Sequence, residues 1–391
     1  MKKIRFKYSK AFFSWHPHNH FQLLIDGKRF YPEILKALMR AQHYILIEMY
    51  LVESGNITTT FIDVMTKKAH EGVIVKLLFD DFGANKLNQA DRQRLKNAGV
   101  TLIFYNPVRL VHLKRNLHRT HRKIIVIDGH IAFTGGAGIA DAFTGKQAWR
   151  ETMIKIYGRV VFDWQQLFIK NFQRASGIKQ PFLPHVVDAY QIEDRFNHKT
   201  RSMFTHNAKA RVICSSGGSQ IALKRSLLKR INTSQQTVWL ATAYFIPSIK
   251  IRYALKQAAR QGKDVRLLLP STITDHPSVV YASRGYYAPL LRAGVRIYEY
   301  QGRFMHTKVA LVDHWSSIGS SNMDRWNLLW NLEANQEIKN ATFAHDIKTM
   351  LLNDFKQSQE IIYTTWTQRS KLARLREWMW GKVDLWLSGW K

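Results

Sequence analysis

Cysteine is nearly absent: of 391 residues only Cys214 carries a thiol. No disulfide can close within the chain, and a reducing compartment is the natural expectation. Cys214 ends the apolar, strand-like run Arg211-Val-Ile-Cys214, where a buried, inert thiol is expected. Acidic residues are scarce as well, 28 against 59 Lys+Arg, which gives a formal charge of +31 and a pI near 10.2. Such a field draws polyanions, either nucleic acid or an anionic lipid surface, and charge alone does not separate the two. No apolar run reaches the roughly 18–20 residues that span a bilayer. The stretch Met1–Lys10 lacks the apolar centre of a signal peptide. The expectation is a protein kept in the cytoplasm whose contact with membrane is peripheral.

What the chain does have is apolar material, 46% of its residues, and a length that suggests two domains or one duplicated one. Its halves follow one plan. A helix-like segment around Ile34–Ala41 leads to the strand candidate Tyr44–Tyr50, and a helix to His70 ends at Gly72. The strand Val73–Phe79, a helix ending at Gly99 and the strand Val100–Tyr105 follow. The second half repeats the order with strand Val238–Tyr244, a helix to Gln261-Gly262, strand Val265–Leu269, a helix to Ala293-Gly294 and strand Val295–Tyr300. Asn97-Ala-Gly-Val100 and Arg292-Ala-Gly-Val295 mark matching points. Alternating strands and helices imply parallel strands with helices on the faces, and the repeat implies two similar α/β units. The boundaries expected are a basic segment 1–20, a first unit 21–175, a connection 176–210, a second unit 211–360 and a tail 361–391.

Each unit carries the pattern H-x-K-x4-D: His121-Arg-Lys123 to Asp128, and His306-Thr-Lys308 to Asp313. Both run into a small-residue turn, Gly135-Gly136 in one and Gly319-Ser-Ser-Asn322 in the other. Two-residue spacing puts His and Lys on one strand face. There the ammonium can offset phosphoryl charge while the imidazole supplies a nucleophile or a proton. Asp128 and Asp313 complete the motifs and are counted with the catalytic set, yet they leave on the opposite face and suit local anchoring better than chemistry. Glu151 follows His121 by 30 residues and Glu333 follows His306 by 27. A buried Glu accepting one imidazole N–H would fix the tautomer, so each motif reads as a His/Lys/Glu unit. His16, His18, His20 and His276 have metal-ligand chemistry in principle. No Cys or carboxylate stands at ligand spacing beside them, and neither metal nor cofactor is expected.

These words, with Leu117-His-Arg-Thr-His121, Ala243-Tyr-Phe-Ile-Pro247, Gly294–Tyr300 and Asn331-Leu-Glu-Ala-Asn335, resemble the phospholipase D superfamily. Within it they look most like the short bacterial cardiolipin synthases without N-terminal transmembrane helices, over about His20 to Phe355. The resemblance implies two similar units, each a mixed, mainly parallel sheet flanked by helices, with one active site at their interface. It implies metal-independent transfer through a phosphohistidine, with His121 as nucleophile and His306 as general acid, later base. Lys123, Lys308 and Asn322 match phosphate ligands, and Glu151 and Glu333 match the histidine-orienting carboxylates. Gly138 departs from the pattern: it stands where the second motif has Asn322, and one donor is lost.

The resemblance further implies condensation of two phosphatidylglycerol molecules to cardiolipin and glycerol at the cytoplasmic face of a bacterial inner membrane. Hydrolysis to phosphatidic acid and cleavage of nucleic acid are the alternatives. The tail favours lipid over nucleic acid as partner. Trp366, Trp378, Trp380, Trp386 and Trp390 alternate there with Arg369, Lys371, Arg374, Arg376, Lys382 and Lys391, as suits an in-plane helix at an anionic bilayer. The competing reading docks these tryptophans on the catalytic units. The basic, apolar run Val108–Leu117 is expected to hold the site opening against lipid.

Overall fold

The computed structural model describes residues 13–108, 116–177, 207–215, 221–322, 331–370, 377 and 379–380. The first half holds strands β1 (His16–Ile25), β2 (Tyr44–Met49), β3 (Ile74–Asp80), β4 (Thr101–Tyr105), β5 (Ile124–Ile127), β6 (Ile131–Gly135) and β7 (Thr152–Tyr157). Its helices are α1 (Gly27–Met39), α2 (Asn56–His70), α3 (Gln89–Asn97) and α4 (Val160–Ser176). The second half holds β8 (Ala208–Cys214), β9 (Thr237–Ala241), β10 (Asp264–Pro270), β11 (Arg296–Tyr300), β12 (Val309–Val312), β13 (Trp315–Gly319), β14 (Ala334–Lys339) and β15 (Ser358–Ile361). Its helices are α5 (Ile221–Asn232), α6 (Ile249–Arg260), α7 (Pro277–Arg284), α8 (Tyr287–Leu291) and α9 (Ala341–Lys356).

All fifteen strands join one sheet, in the order β15-β11-β10-β9-β12-β13-β14-β8-β1-β7-β6-β5-β2-β3-β4. The order is palindromic about the β8–β1 pair if β15 is set aside, so the two units are related as mirror positions along one sheet. Only β2-β3-β4 and β9-β10-β11 run parallel; the remaining neighbours are antiparallel. The expectation of a mainly parallel sheet is corrected. Each His-x-Lys strand folds back in a tight hairpin, β5-β6 and β12-β13, and a longer loop returns the chain antiparallel as β7 or β14. The expected helix ends are where glycine was read: Gly72 (φ +86°) and Gly262 (φ +78°) follow α2 and α6 in the left-handed region.

Alternation along the central strands builds three layers. Leu46, Ile124 and Val126 face α4, whose Trp164, Phe168 and Phe172 belong to the same core as Phe343, Ile347 and Phe355 of α9. That core runs under both units without a break. On the opposite face Ile45, Ile47 and Ile125 pack against α1–α3, while Val238, Leu240 and Val265 pack against α6 and α8 in a separate cluster. Each fully buried aromatic contributes roughly 1.5–3 kcal/mol, so the shared layer resists separation of the halves. Cys214 is buried at the end of β8, and burial pushes its thiol up.

Two polar devices stitch the halves. At the β1–β8 seam the register shifts between His16 and Asn19. The buried Asn19 amide donates to His16 O (2.7 Å) and Ala208 O (3.3 Å), and its Oδ1 accepts from Val160 N (2.9 Å). Nearer the centre Arg150, 2% exposed, forks onto Asp354 of α9, Nε to Oδ1 at 2.9 Å and Nη2 to Oδ2 at 2.7 Å. Neither residue stood out in the sequence. Removing Asp354 leaves the buried guanidinium only the longer carboxylate contact to Asp26, 3.8 Å away. Asp354→Ala is expected to lower unfolding stability by about 3 kcal/mol, read as a shifted urea midpoint at unchanged slope; a loss under about 1 kcal/mol would show the pair to be dispensable.

Candidate active site

The two histidines are placed by backbone bridges that cross between units. Thr120 forms an isolated parallel bridge with Leu332, in which His121 N donates to Leu332 O (2.9 Å) and Leu332 N to Arg119 O (2.8 Å). Arg150 bridges Met305 in the same way: Arg150 N donates to Phe304 O and His306 N to Arg150 O, both at 2.8 Å. Glu333 follows Leu332, and Glu151 follows Arg150. Each carboxylate therefore reaches the imidazole of the other unit. His306 Nδ1 lies 2.5 Å from Glu151 Oε2. His121 Nδ1 lies 2.9 Å from Glu333 Oε1, close but off the line of an ideal hydrogen bond. The expected grouping of each Glu with the His of its own motif is corrected: the pairs are swapped. In both, Nδ1 faces the carboxylate, which leaves Nε2 for chemistry.

The lysines fold back on their own motifs. Lys123 Nζ donates to His121 O at 2.8 Å, and Lys308 Nζ to His306 O at 2.5 Å with Glu151 Oε2 at 3.6 Å. All six side chains are buried, the two glutamates completely. Asn322 is buried too, and among the described residues neither its amide nitrogen nor its oxygen has a partner, as a group waiting for a ligand oxygen would be. At the matching place a Cβ on Gly138 would meet Leu51 O at 2.5 Å, so the first motif has no room for that amide. Gly136 is required by the pair itself, since a Cβ there would lie 2.2 Å from Glu151 Oε2.

Asp128 and Asp313 stand apart from this group, beyond the far ends of β5 and β12. Asp128 accepts from the backbone N–H of Gln42, His43 and Tyr44 (2.8 Å each), and Asp313 from Gln235, Gln236 and Thr237 (2.9 Å each). Both take φ +51° at the hairpin turn. Their place in the catalytic set is corrected: they tie each His-x-Lys strand to the start of the neighbouring β2 or β9. The alternation of the strand had pointed that way.

Burial dominates the electrostatics. It pushes the Lys123 ammonium down to about 7, an effect that Glu333 opposes and Lys308 reinforces. It lowers Lys308 and His121, and takes His306 well below the ordinary range, with Lys308 adding to the effect and Asp275 opposing it. The Glu151 carboxyl is pushed up, against the pull of Lys308. The site is thus a desolvated nest of potential cations, and an anion entering it restores their protons. His121, Lys123 and His306 open on a cavity of ≈350 Å³. Tyr50 meets His121 edge-on at 4.8 Å, and Trp149 lies 5.1 Å from His306. The sequence reading missed these aromatic walls, because nothing in a single Tyr or Trp distinguishes lining from core. Among the described residues no group of three His, Cys, Asp or Glu side chains is placed to hold a metal; His16 instead lies 3.1 Å from Asp163.

A family model described as cardiolipin synthase, PLD-like domain, matches residues 34–175 and 227–355, which contain both crossed pairs. The chain belongs to this family. Cardiolipin synthase from Alkalihalophilus pseudofirmus is 34% identical over 366 residues, covering 91% of the chain and 70% of that relative. Cardiolipin synthase 1 from Bacillus anthracis is 34% identical over 369 residues with the same coverage. Among solved structures, phosphatidylserine synthase from Haemophilus influenzae superposes with a TM-score of 0.74 at 12% identity over 96% of both chains. Polyphosphate kinase from Porphyromonas gingivalis gives 0.59 at 14% identity, over 93% of this chain and 53% of its own. At those identities the likeness is one of fold.

The crossing and the depressed lysine each have a measurable consequence in this cardiolipin synthase family member. Glu333 raises the His121 imidazole and Glu151 does not touch it, so Glu333→Gln is expected to lower the His121 titration while Glu151→Gln leaves it in place. Histidine-selective ¹⁵N NMR reads this, and the reverse result would restore same-unit pairing. Lys123 must be protonated to hold an anion, and the empty site loses that proton as pH rises through about 7. Affinity for sulfate, whose own charge is constant over this range, should fall with rising pH, by at least about tenfold per pH unit well above that point. A flat profile from pH 6 to 9 would remove Lys123 from anion binding.

Proposed function

We propose that the protein is a phosphatidyltransferase, a cardiolipin synthase, that joins two phosphatidylglycerol molecules into cardiolipin and glycerol. Family membership supports the enzyme class. The observation that carries the mechanism is the opening of Lys123 and both histidines, each paired with the other unit's glutamate, on one cavity; Lys308, 3.6 Å from Glu151, and Asn322 line a second, smaller pocket. A phosphodiester entering there meets Lys123, with Lys308 and Asn322 as the further phosphate ligands that the family resemblance implies, and returns to His306 the proton that burial withholds from it in the empty site. His121 Nε2 then attacks phosphorus, the bond from phosphorus to the glycerol oxygen breaks, and His306 gives its proton to that oxygen. Glu333 stabilises the positive charge that His121 acquires. In the second step neutral His306 takes the proton from a hydroxyl of the second phosphatidylglycerol, whose oxygen attacks phosphorus and breaks the phosphorus–nitrogen bond. The assignment of His121 as nucleophile follows the family resemblance.

Transfer outruns hydrolysis only where the acceptor is concentrated and water is scarce. A membrane surface meets both needs, and the site rim suits one. Phe82 and Val108, just after β3 and β4, and Leu117, in the segment that delivers His121, are each about half exposed. Val108 N bonds Asp81 and the Arg119 guanidinium lies 5.9 Å from the Phe82 ring, which holds these side chains near one another. Ile273, in the loop after β10 that also carries Asp275, is exposed as well. No helix among the described residues is long and apolar enough to cross a membrane. In the tail, Trp366 is buried against Tyr287, ring centroids 5.0 Å apart, as the docking alternative had it, whereas Met379 and Trp380 are exposed. Trp378, Trp386, Trp390 and most of the tail's basic residues lie outside the described residues, as do residues 109–115. We place the enzyme peripherally on the cytoplasmic face of the bacterial inner membrane.

Purified protein supplied with labelled phosphatidylglycerol should yield cardiolipin plus glycerol, and His121→Ala should yield neither. Phosphatidic acid as the main product would instead make it a hydrolase, and cardiolipin at the wild-type rate from the variant would sink the phosphohistidine. For the rim, a Phe82→Ser, Leu117→Ser variant should bind anionic vesicles at least about tenfold more weakly, the loss expected from two exposed apolar anchors, and keep its activity on detergent-dispersed lipid. Undiminished vesicle binding would exclude this rim as the docking face.

A further inference from the structure

One wall of the cavity carries a group that phosphate binding does not call for. Asp275, in the loop between β10 and α7, lines the same space as His121, Lys123 and His306. A fixed negative charge beside a phosphate subsite weakens it, since like charges repel. Yet the carboxylate is held in place. The Tyr244 hydroxyl donates to its Oδ2 at 2.6 Å, and His276 Nε2 lies 3.8 Å from the same oxygen. The Tyr244 ring stands between, 5.7 Å from His276 and 6.4 Å from His306. Its field also reaches His306, where it works to raise the imidazole. About a quarter of the Asp275 side chain is exposed, and with two lone pairs on each oxygen the carboxylate keeps acceptor capacity towards the cavity.

We propose that Asp275, positioned by Tyr244, is the specificity determinant of an alcohol subsite: it accepts hydrogen bonds from the hydroxyls of a polyol head group and turns one of them towards His306. This rests on the reading above that His306 serves the alcohol oxygen in both steps. A glycerol head group has one hydroxyl to react and another to anchor, which a carboxylate on the His306 side would grip. An ammonium head group is the poorer fit, because the Lys123 amino group lines the same space. An acceptor bearing a phosphate monoester would face Asp275 directly and be turned away.

The test uses the full chain with phosphatidylglycerol as donor and three labelled acceptors, glycerol, propan-1-ol and ethanolamine, with phosphatidyl transfer to each and release to water quantified. Wild type is expected to favour glycerol over propan-1-ol by about tenfold or more, the worth of one hydrogen bond to a charged group. Asp275→Ala should bring that ratio close to one, Asp275→Asn should leave it intermediate, and Tyr244→Phe, which keeps the ring packing, should lower it part-way. An unchanged ratio in Asp275→Ala, with transfer still proceeding, overturns the subsite alone. A wild-type preference for ethanolamine that Asp275→Ala abolishes overturns it in favour of charge pairing. No transfer and no release by wild type overturns the phosphatidyltransferase reading itself.

Discussion

Everything in the active site depends on a pair of backbone bridges, Thr120 to Leu332 and Arg150 to Met305. They join the residue preceding each glutamate to the residue preceding the other unit's histidine. Burying two carboxylates, two ammonium groups and two imidazoles in one place is costly, and a single unpaired member would cost several kcal/mol. The arrangement holds because each charge has a partner whose position is set by main-chain hydrogen bonds rather than by a flexible side chain. The continuous core beneath α4 and α9 and the Arg150–Asp354 fork then keep those main-chain segments from drifting.

The same bridges explain what was legible in the sequence and what was not. The strands β2, β3, β9, β10 and β11 are apolar runs, buried wholly or on their inner face, and they announce themselves. β14 does not: Ala334-Asn-Gln-Glu-Ile-Lys339 reads as loop, yet Gln336 and Glu337 are buried. They are tolerated because Trp164 Nε1 donates to Gln336 and Arg211 Nε to Glu337. Missing that strand and its counterpart β7, which carries Lys155, hid the hairpins and made the sheet look mainly parallel. The sharing of one face by His121 and Lys123 followed from two-residue periodicity, as did the opposite exit of Asp128. The exchange of glutamates could not be read, because the distance from His121 to Glu151 in sequence carries no information about which unit the carboxylate serves.

The near-symmetry of the fold makes its departures informative. Gly138 is confined by Leu51 and its carbonyl accepts from the Tyr31 hydroxyl, whereas the Asn322 amide has no partner among the described residues. His306 has Trp149, Phe304 and Tyr244 around it, with Asp275 acting on it, while His121 has Tyr50. Two imidazoles that began equivalent therefore differ in hydration, in field and in the ligand atoms they can share.

The β1–β8 seam gives this architecture a mechanical character. Because the units meet there as like against like, any sliding along it displaces both histidines from both glutamates in a single movement. A shift of one residue, about 3.3 Å, would exceed the tolerance of a hydrogen bond at each end. Asn19, which closes the irregularity at that seam, thus acts as a locating pin for two contacts it never touches. The alignment that the two backbone bridges set is seconded from a small amide at the seam.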